Sequence, residues 1–236
     1  MGQPRRRLSA VRMATQTVDG LDPLMASARR ALREAPDIAT GLDIALKLLR
    51  RLGLLGPDKA ERRALRNVPV GGLWRFVRRR LARAMPPTPQ ALAALRGGSL
   101  RLVTSGAELM AVGRRFRNCL GVEPAYLLAF AEQHLHFAVL DVDEPLVIGL
   151  TIGGNGDVHL DDAAMMGGLW YCPRAHNLAL AALADAGVAV VNDAPPPPPP
   201  APGARGALQA LERLRAAACA AAIAAPLLDA EDLIGI

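Results

Sequence analysis

The residues best able to do chemistry in this chain of 236 cluster around and beyond its midpoint. Cys119 follows Arg114, Arg115 and Arg117, and a thiol near several guanidinium groups gains thiolate character, the form a nucleophile needs. His136 and His159 are the candidate general bases, and either one beside Cys119 would make a Cys-dependent hydrolase or transferase. The competing reading is an inert, buried thiol behaving as a small hydrophobe. Its position near a helix C-terminus favours that reading, because carbonyl dipoles there oppose an anion. Cys172, just ahead of Pro173, stands where a helix N-terminus would favour a thiolate, although capping or packing explains it equally well.

Metal and cofactor chemistry lack the spacings they need. The four histidines are His134, His136, His159 and His176, and the one close Cys/His pair is Cys172 with His176, too little for a zinc site without distant ligands. Neither a metal nor a cofactor is expected. Asp161 and Asp162 are adjacent carboxylates, which on a regular strand point to opposite faces and cannot serve one substrate together. The stretch Gly153-Gly154-Asn155-Gly156 lies between two strand patterns. It lacks the Lys-Ser/Thr of a P-loop and the strand-to-helix setting of a dinucleotide fingerprint, so it reads as a hairpin turn. Gly-x-Ser-x-Gly and His-Glu-x-x-His do not occur.

The elements that must position these residues change character near Arg101. Before it the pattern is helical. Ile38, Leu42, Ala45, Leu49 and Leu52 form one apolar stripe on a helix from about Pro36 to Gly53, and a short charged helix runs from Gly56-Pro57 to Arg66. A third helix, Leu73 to Met85, places Trp74, Val77, Leu81 and Met85 on one side and Arg75, Arg78, Arg79 and Arg83 on the opposite arc. After Arg101, Ser105 and Glu108 form a capping-box pattern for a helix to about Asn118, and Glu123-Pro124 opens another with Tyr126, Leu127 and Phe130. Three strands follow, Leu135 to Val142, Leu146 to Ile152 and Asp157 to Asp161, which predicts an antiparallel meander. A three-residue loop at Gly154-Asn155-Gly156, with Gly156 left-handed, pairs Ile152 with Val158 and Leu150 with Leu160. Gly149, Thr151, Asp157, His159 and Asp161 then gather on the other face. A helix from Cys172-Pro173 to about Ala186 and a fourth strand at Val188 to Val191 complete the pattern.

The fold class predicted is α+β: a basic N-terminal helical region followed by a small antiparallel β-meander flanked by helices. The segments are a basic disordered tail over 1–20, an Arg-rich helical region over 21–100 and an α+β core over 101–193. A Pro-rich linker over 194–205 and an Ala-rich C-terminal helix and tail over 206–236 follow as an appendage. The run Pro195 to Pro200 is extended and semi-rigid, a spacer or a ligand for an aromatic groove.

Charge divides along the same line. Residues 1–120 hold 24 Lys and Arg against 8 Asp and Glu, a net of +16, while residues 121–236 hold 4 against 14, a net of −10. A positive half of this kind neutralises phosphates, so nucleic acid or another anionic polymer is the partner it suits, through Arg75, Arg78, Arg79 and Arg83. Attraction between the two halves inside one fold is the alternative. Three widely separated cysteines, Cys119, Cys172 and Cys219, do not form a disulfide framework and point to a reducing, cytoplasmic setting. No stretch is apolar and long enough to span a membrane, and Leu8 to Thr17 is too polar for a signal-peptide core.

Phe116-Arg117-Asn118-Cys119-Leu120-Gly121, then Tyr126, then the strands His136 to Val142, Leu146 to Ile152 and Gly156 to Leu160, and finally Gly167-Gly168 with His176-Asn177, follow one another in an order that resembles the PcfJ-like family. That family is linked to conjugative plasmids and other bacterial mobile elements. The resemblance spans roughly residues 101–192, with Asn118 where the family motif carries a histidine. It implies an accessory protein without an assigned reaction, and with the strand register it singles out Asn118, Tyr126, Thr151 and Asp161 as a polar cluster. A protein-interaction module without catalysis is the third expectation, set beside nucleic-acid contact and the Cys-dependent enzyme.

Overall fold

The structure, a computed structural model, describes residues 21–167, 172–191 and 204–224. The basic tail, the proline run, Gly168 and the residues after 224 lie outside the described residues. Helices α1 (Arg29–Glu34), α2 (Ala39–Arg51), α3 (Asp58–Leu65) and α4 (Val70–Leu81) precede strand β1 (Leu100–Leu102). Helices α5 (Gly106–Phe116) and α6 (Pro124–Ala131) lead into β2 (His136–Leu140), β3 (Leu146–Ile152) and β4 (Val158–Met165). Helices α7 (Pro173–Asp185) and α8 (Ala204–Ala224) follow. The fold is α+β, with one antiparallel sheet in the order β1-β2-β3-β4. Among the described residues no helix is long and apolar enough to cross a membrane.

Local chemistry accounts for the element ends. Ser105 Oγ accepts a hydrogen bond from the Glu108 amide at 3.1 Å and the Glu108 carboxylate accepts one from the Thr104 amide at 2.8 Å, which starts α5. Pro124 stands in the first turn of α6, where its missing N–H costs nothing. The predicted stripe of α2 is buried at Leu42, Ala45 and Leu49. Helix α4 begins three residues earlier than the sequence pattern suggests and stops at Leu81, so Met85 is 76% exposed and leaves the apolar side it was expected to join.

The meander register is the predicted one. Ile152 pairs with Val158 and Leu150 with Leu160, around a turn in which Gly156 has φ +89°. Two features depart from expectation. The strand expected at Val188 to Val191 is reduced to one parallel bridge between Val158 and Val190. The fourth strand is instead β1, whose Leu100, Arg101 and Leu102 pair with Leu140, Val139 and Ala138.

The sheet lies between two hydrophobic cores. On its first face Phe137, Val139, Val147 and Ala164 pack with the helical body, from Leu24 through α2, α4, α5 and α6. On its second face Ala138, Leu140, Ile148, Leu150 and Ala163 pack with Ala175, Ala179 and Leu183 of α7 and with Leu92 and Leu95. The terminal helix is not an appendage. Helix α8 packs against α2 and α4, with Leu211, Leu214 and Ala218 fully buried in the first core. The Arg-rich helices and the meander therefore share one core, because the apolar stripes of α2 and α4 need both the sheet face and α8 to cover them.

Candidate functional site

A bulge in β4 builds the polar site. Gly149 pairs with Asp162 and Leu150 with Leu160, which leaves Asp161 as an extra residue between them. A Cβ placed on Gly149 would lie 3.7 Å from the Asp161 Cβ and from its Oδ2, so the Asp161 carboxylate stands beside Gly149 on the first face. Asp162, directly across from Gly149, shares that face. The expectation that the adjacent pair points to opposite faces is therefore corrected: the extra residue breaks the alternation, and both carboxylates turn toward the helical layer. Asp162 is 9% exposed, and its Oδ1 accepts a hydrogen bond from the Ala163 amide at 2.7 Å.

Facing this pair, α6 presents Tyr126, which meets Phe137 of β2 edge-on with ring centroids 6.2 Å apart. The Tyr126 hydroxyl is hydrogen-bonded to the Cys119 thiol. Cys119 opens a single 3-10 turn, Cys119–Gly121, fixed by the Asn118 side chain, whose Oδ1 accepts from the Leu120 amide at 3.2 Å. The turn lies flat on α5 because Gly113 and Gly121 meet backbone to backbone. A Cβ on Gly113 would come within 2.5 Å of the Gly121 nitrogen, and one on Gly121 within 2.7 Å of the Met110 Cα. Arg117, left-handed at φ 53°, ends α5 and turns the chain into this motif.

Burial, the neighbouring Cys119 and the charges of Asp161 and Asp162 together push the Tyr126 phenol up to about 12. Burial first, and the Asp162 charge second, raise the Asp161 carboxyl above its ordinary value. Both groups therefore hold their protons more tightly than they would in water. Because the folded phenol titrates above the ordinary value near 10, its contribution to stability is intact below about pH 10 and is lost as pH rises towards 12. A spectrophotometric titration with Tyr171 replaced by Phe should show a phenolate midpoint near 12 that falls in Asp161→Asn. A midpoint near 10 would mean the phenol is not enclosed by this cluster.

The expected Cys/His pairing is not what the fold assembles around Cys119. His136 pairs with Leu150 and shares the second face with Ala138 and Leu140, across the sheet from Phe137 and Tyr126. Burial lowers its pKa, against a hydrogen bond to the Gln133 backbone, so the ring is held neutral. His159 does lie on the first face, opposite Thr151, but its Nδ1 is engaged by the Val191 carbonyl oxygen at 3.3 Å. Of the residues singled out from sequence, Cys119, Tyr126 and Asp161 come together. Asn118 is their neighbour through the turn, with its Nδ2 buried and without a hydrogen-bond partner. Asp162 is the member that sequence reasoning missed, and two acids in succession opposite a glycine were its signal. Among the described residues no group of three or more His, Cys, Asp and Glu is placed to hold a metal ion.

The cationic surface forms the second candidate region. On α4 and just beyond it, Arg75 and Arg78 are half-buried, while Arg79 and Arg83 are exposed. Arg80, on none of the predicted faces, is buried against Glu61. Among the described residues only three ion pairs join the basic half to the acidic half: Arg51 with Glu132, Arg101 with Asp141 and Arg115 with Asp141. Arg33, Arg63 and Arg66 are exposed, and among the described residues none forms an ion pair within 4 Å, although the Arg33 charge acts on Glu34. Neither a protein-family model, nor a curated protein, nor a solved structure matches this chain.

Proposed function

We propose that this protein is an accessory protein of PcfJ-like type that contacts nucleic acid through its basic helical half. The observation that carries the contact is the small number of cross-half ion pairs. Among the described residues three ion pairs cross between the halves, and exposed guanidinium groups stand on α1, α3 and α4. Such groups replace condensed counterions along a phosphate backbone, and the entropy of counterion release drives binding that is blind to sequence. The family part of the proposal is supported by the motif Phe116 to Gly121, by Tyr126 and by the meander register that follows them. A hydrolase built on Cys119 receives no comparable support, because the thiol meets a phenol where such an enzyme needs an imidazole.

The test is a fluorescence-anisotropy titration of the full chain against a mixed-sequence DNA duplex at several salt concentrations. With about five phosphates neutralised, affinity should fall by at least a hundredfold between roughly 50 and 200 mM salt. Absence of binding at the lowest salt would remove the basis of the proposal.

A further inference from the structure

Residues of α1, of the turn before it and of the end of α3 line a surface cleft of about 600 Å³. Its walls carry Arg29, Arg30 and Arg33 from α1 and Arg62, Arg66 and Asn67 from α3 and the turn after it. All five arginines are exposed. Two of them are engaged internally: Arg30 Nε donates to Glu34 at 3.0 Å and its Nη1 to the Asn67 carbonyl oxygen at 3.4 Å, and Arg29 Nε donates to the Ala26 carbonyl oxygen at 3.1 Å. Glu34 is in turn held by the Val70 amide at 2.9 Å, so this acid is anchored at the start of α4. Arg62 reaches Asp58 only at 4.0 Å, and Asp58 is shared with Arg50 at 3.3 Å.

We propose that this cleft is the seat for consecutive phosphates of a nucleic-acid strand, an assignment that rests on the nucleic-acid reading above and locates it on α1 and α3 in place of α4. Arg29 and Arg33, and likewise Arg62 and Arg66, are one helical turn apart, about 6 Å along the axis. That spacing is on the scale of neighbouring phosphates on one strand. Two such pairs lining one cleft supply guanidinium forks, the group best shaped to grip a phosphate by two parallel hydrogen bonds. With Arg30 and the Nε of Arg29 already engaged, Arg33 and Arg66 are the groups that carry the phosphate contact. On α4, by contrast, Arg83 is drawn to Glu61 at 3.8 Å and Arg75 is half-buried, so that face offers fewer ready contacts.

Two charge-reversal variants of the full chain separate the sites: Arg33→Glu with Arg66→Glu in the cleft, and Arg79→Glu with Arg83→Glu on α4. Duplex affinity at low salt should fall at least tenfold in the cleft variant, and the salt slope should drop by about two, one for each lost phosphate contact. The α4 variant should lose less affinity than the cleft variant and keep a salt slope closer to that of the parent. Circular dichroism checks the fold of both, and Arg33→Gln with Arg66→Gln replaces the first if reversal perturbs it. If the cleft variant binds as the parent does while the α4 variant loses binding, the cleft assignment falls and nucleic-acid contact survives. If the parent chain does not bind DNA at all, both fall. Stronger, cleft-dependent binding to vesicles rich in phosphatidylserine than to DNA would overturn the choice of partner.

Discussion

Glu61→Gln is expected to destabilise the protein by about 3–5 kcal/mol, the usual cost of removing one partner from a buried ion pair. Glu61 and Arg80 expose only 3% and 10% of their side chains. The Glu61 Oε2 accepts from Arg80 Nε at 3.0 Å and also from Arg80 Nη2, while Oε1 accepts from the Gly56 amide at 2.9 Å. Arg80 also lies over the Phe76 ring, 3.8 Å from its centroid. The pair is the main polar tie between α3 and α4, and an amide in place of the carboxylate leaves a guanidinium in the core without its counter-charge. Chemical denaturation measures the loss. The double variant Glu61→Met with Arg80→Met should cost less than Glu61→Gln alone, because it leaves no uncompensated charge. A single variant within about 1 kcal/mol of the parent would show that the pair is not enclosed as described.

Gly106→Ala should cost about 3 kcal/mol or more, a Tm loss of roughly 6–12 °C for a chain of this size. Helix α5 starts against the end of α4. The Gly106 and Ala107 amides donate to the Ala84 and Ala82 carbonyl oxygens, each at 2.8 Å, so the free donors of one helix satisfy the free acceptors of the other. This junction works only because Gly106 has no side chain. A Cβ there would overlap the Leu81 carbonyl oxygen and stand 3.0 Å from the Ala82 Cα, which are backbone atoms that no rotamer change can move. The helices would have to part and both hydrogen bonds would lengthen. A scanning-calorimetry Tm for Gly106→Ala equal to that of the parent would contradict the close approach.

Much of the fold was legible in the sequence where a local rule decided it. The Ser105 cap, the Pro124 start of α6 and the hairpin register at Gly154-Asn155-Gly156 each depend on neighbouring residues. What escaped depends on distant pairing. Strand β1 is three residues long, too short to show a period of two, and exists because Val139 and its neighbours needed an edge partner. The sequence pattern places the third strand of the meander at Asp157 to Asp161, yet β4 runs on to Met165, because the bulge at Asp161 absorbs one residue and the apolar order continues through Ala163 and Ala164. For the sites, a helical wheel of α4 singled out Arg75, Arg78, Arg79 and Arg83, but the cleft is assembled from α1 and α3, and no single wheel displays it. The Cys119–Tyr126 contact followed the motif order, whereas the placement of His136 was decided by which face of β2 it occupies.

The position of α8 bears on how the molecule comes into being. Its leucines close a core whose other walls are α2 and α4, so a ribosome delivers those walls long before the piece that seals them. Contacts spanning so much of the chain make for slow closure, and until then the nascent amphipathic helices offer bare leucine stripes to any chaperone or neighbour nearby. Synthesis order thus leaves this protein sticky for most of its birth, whatever it binds once finished.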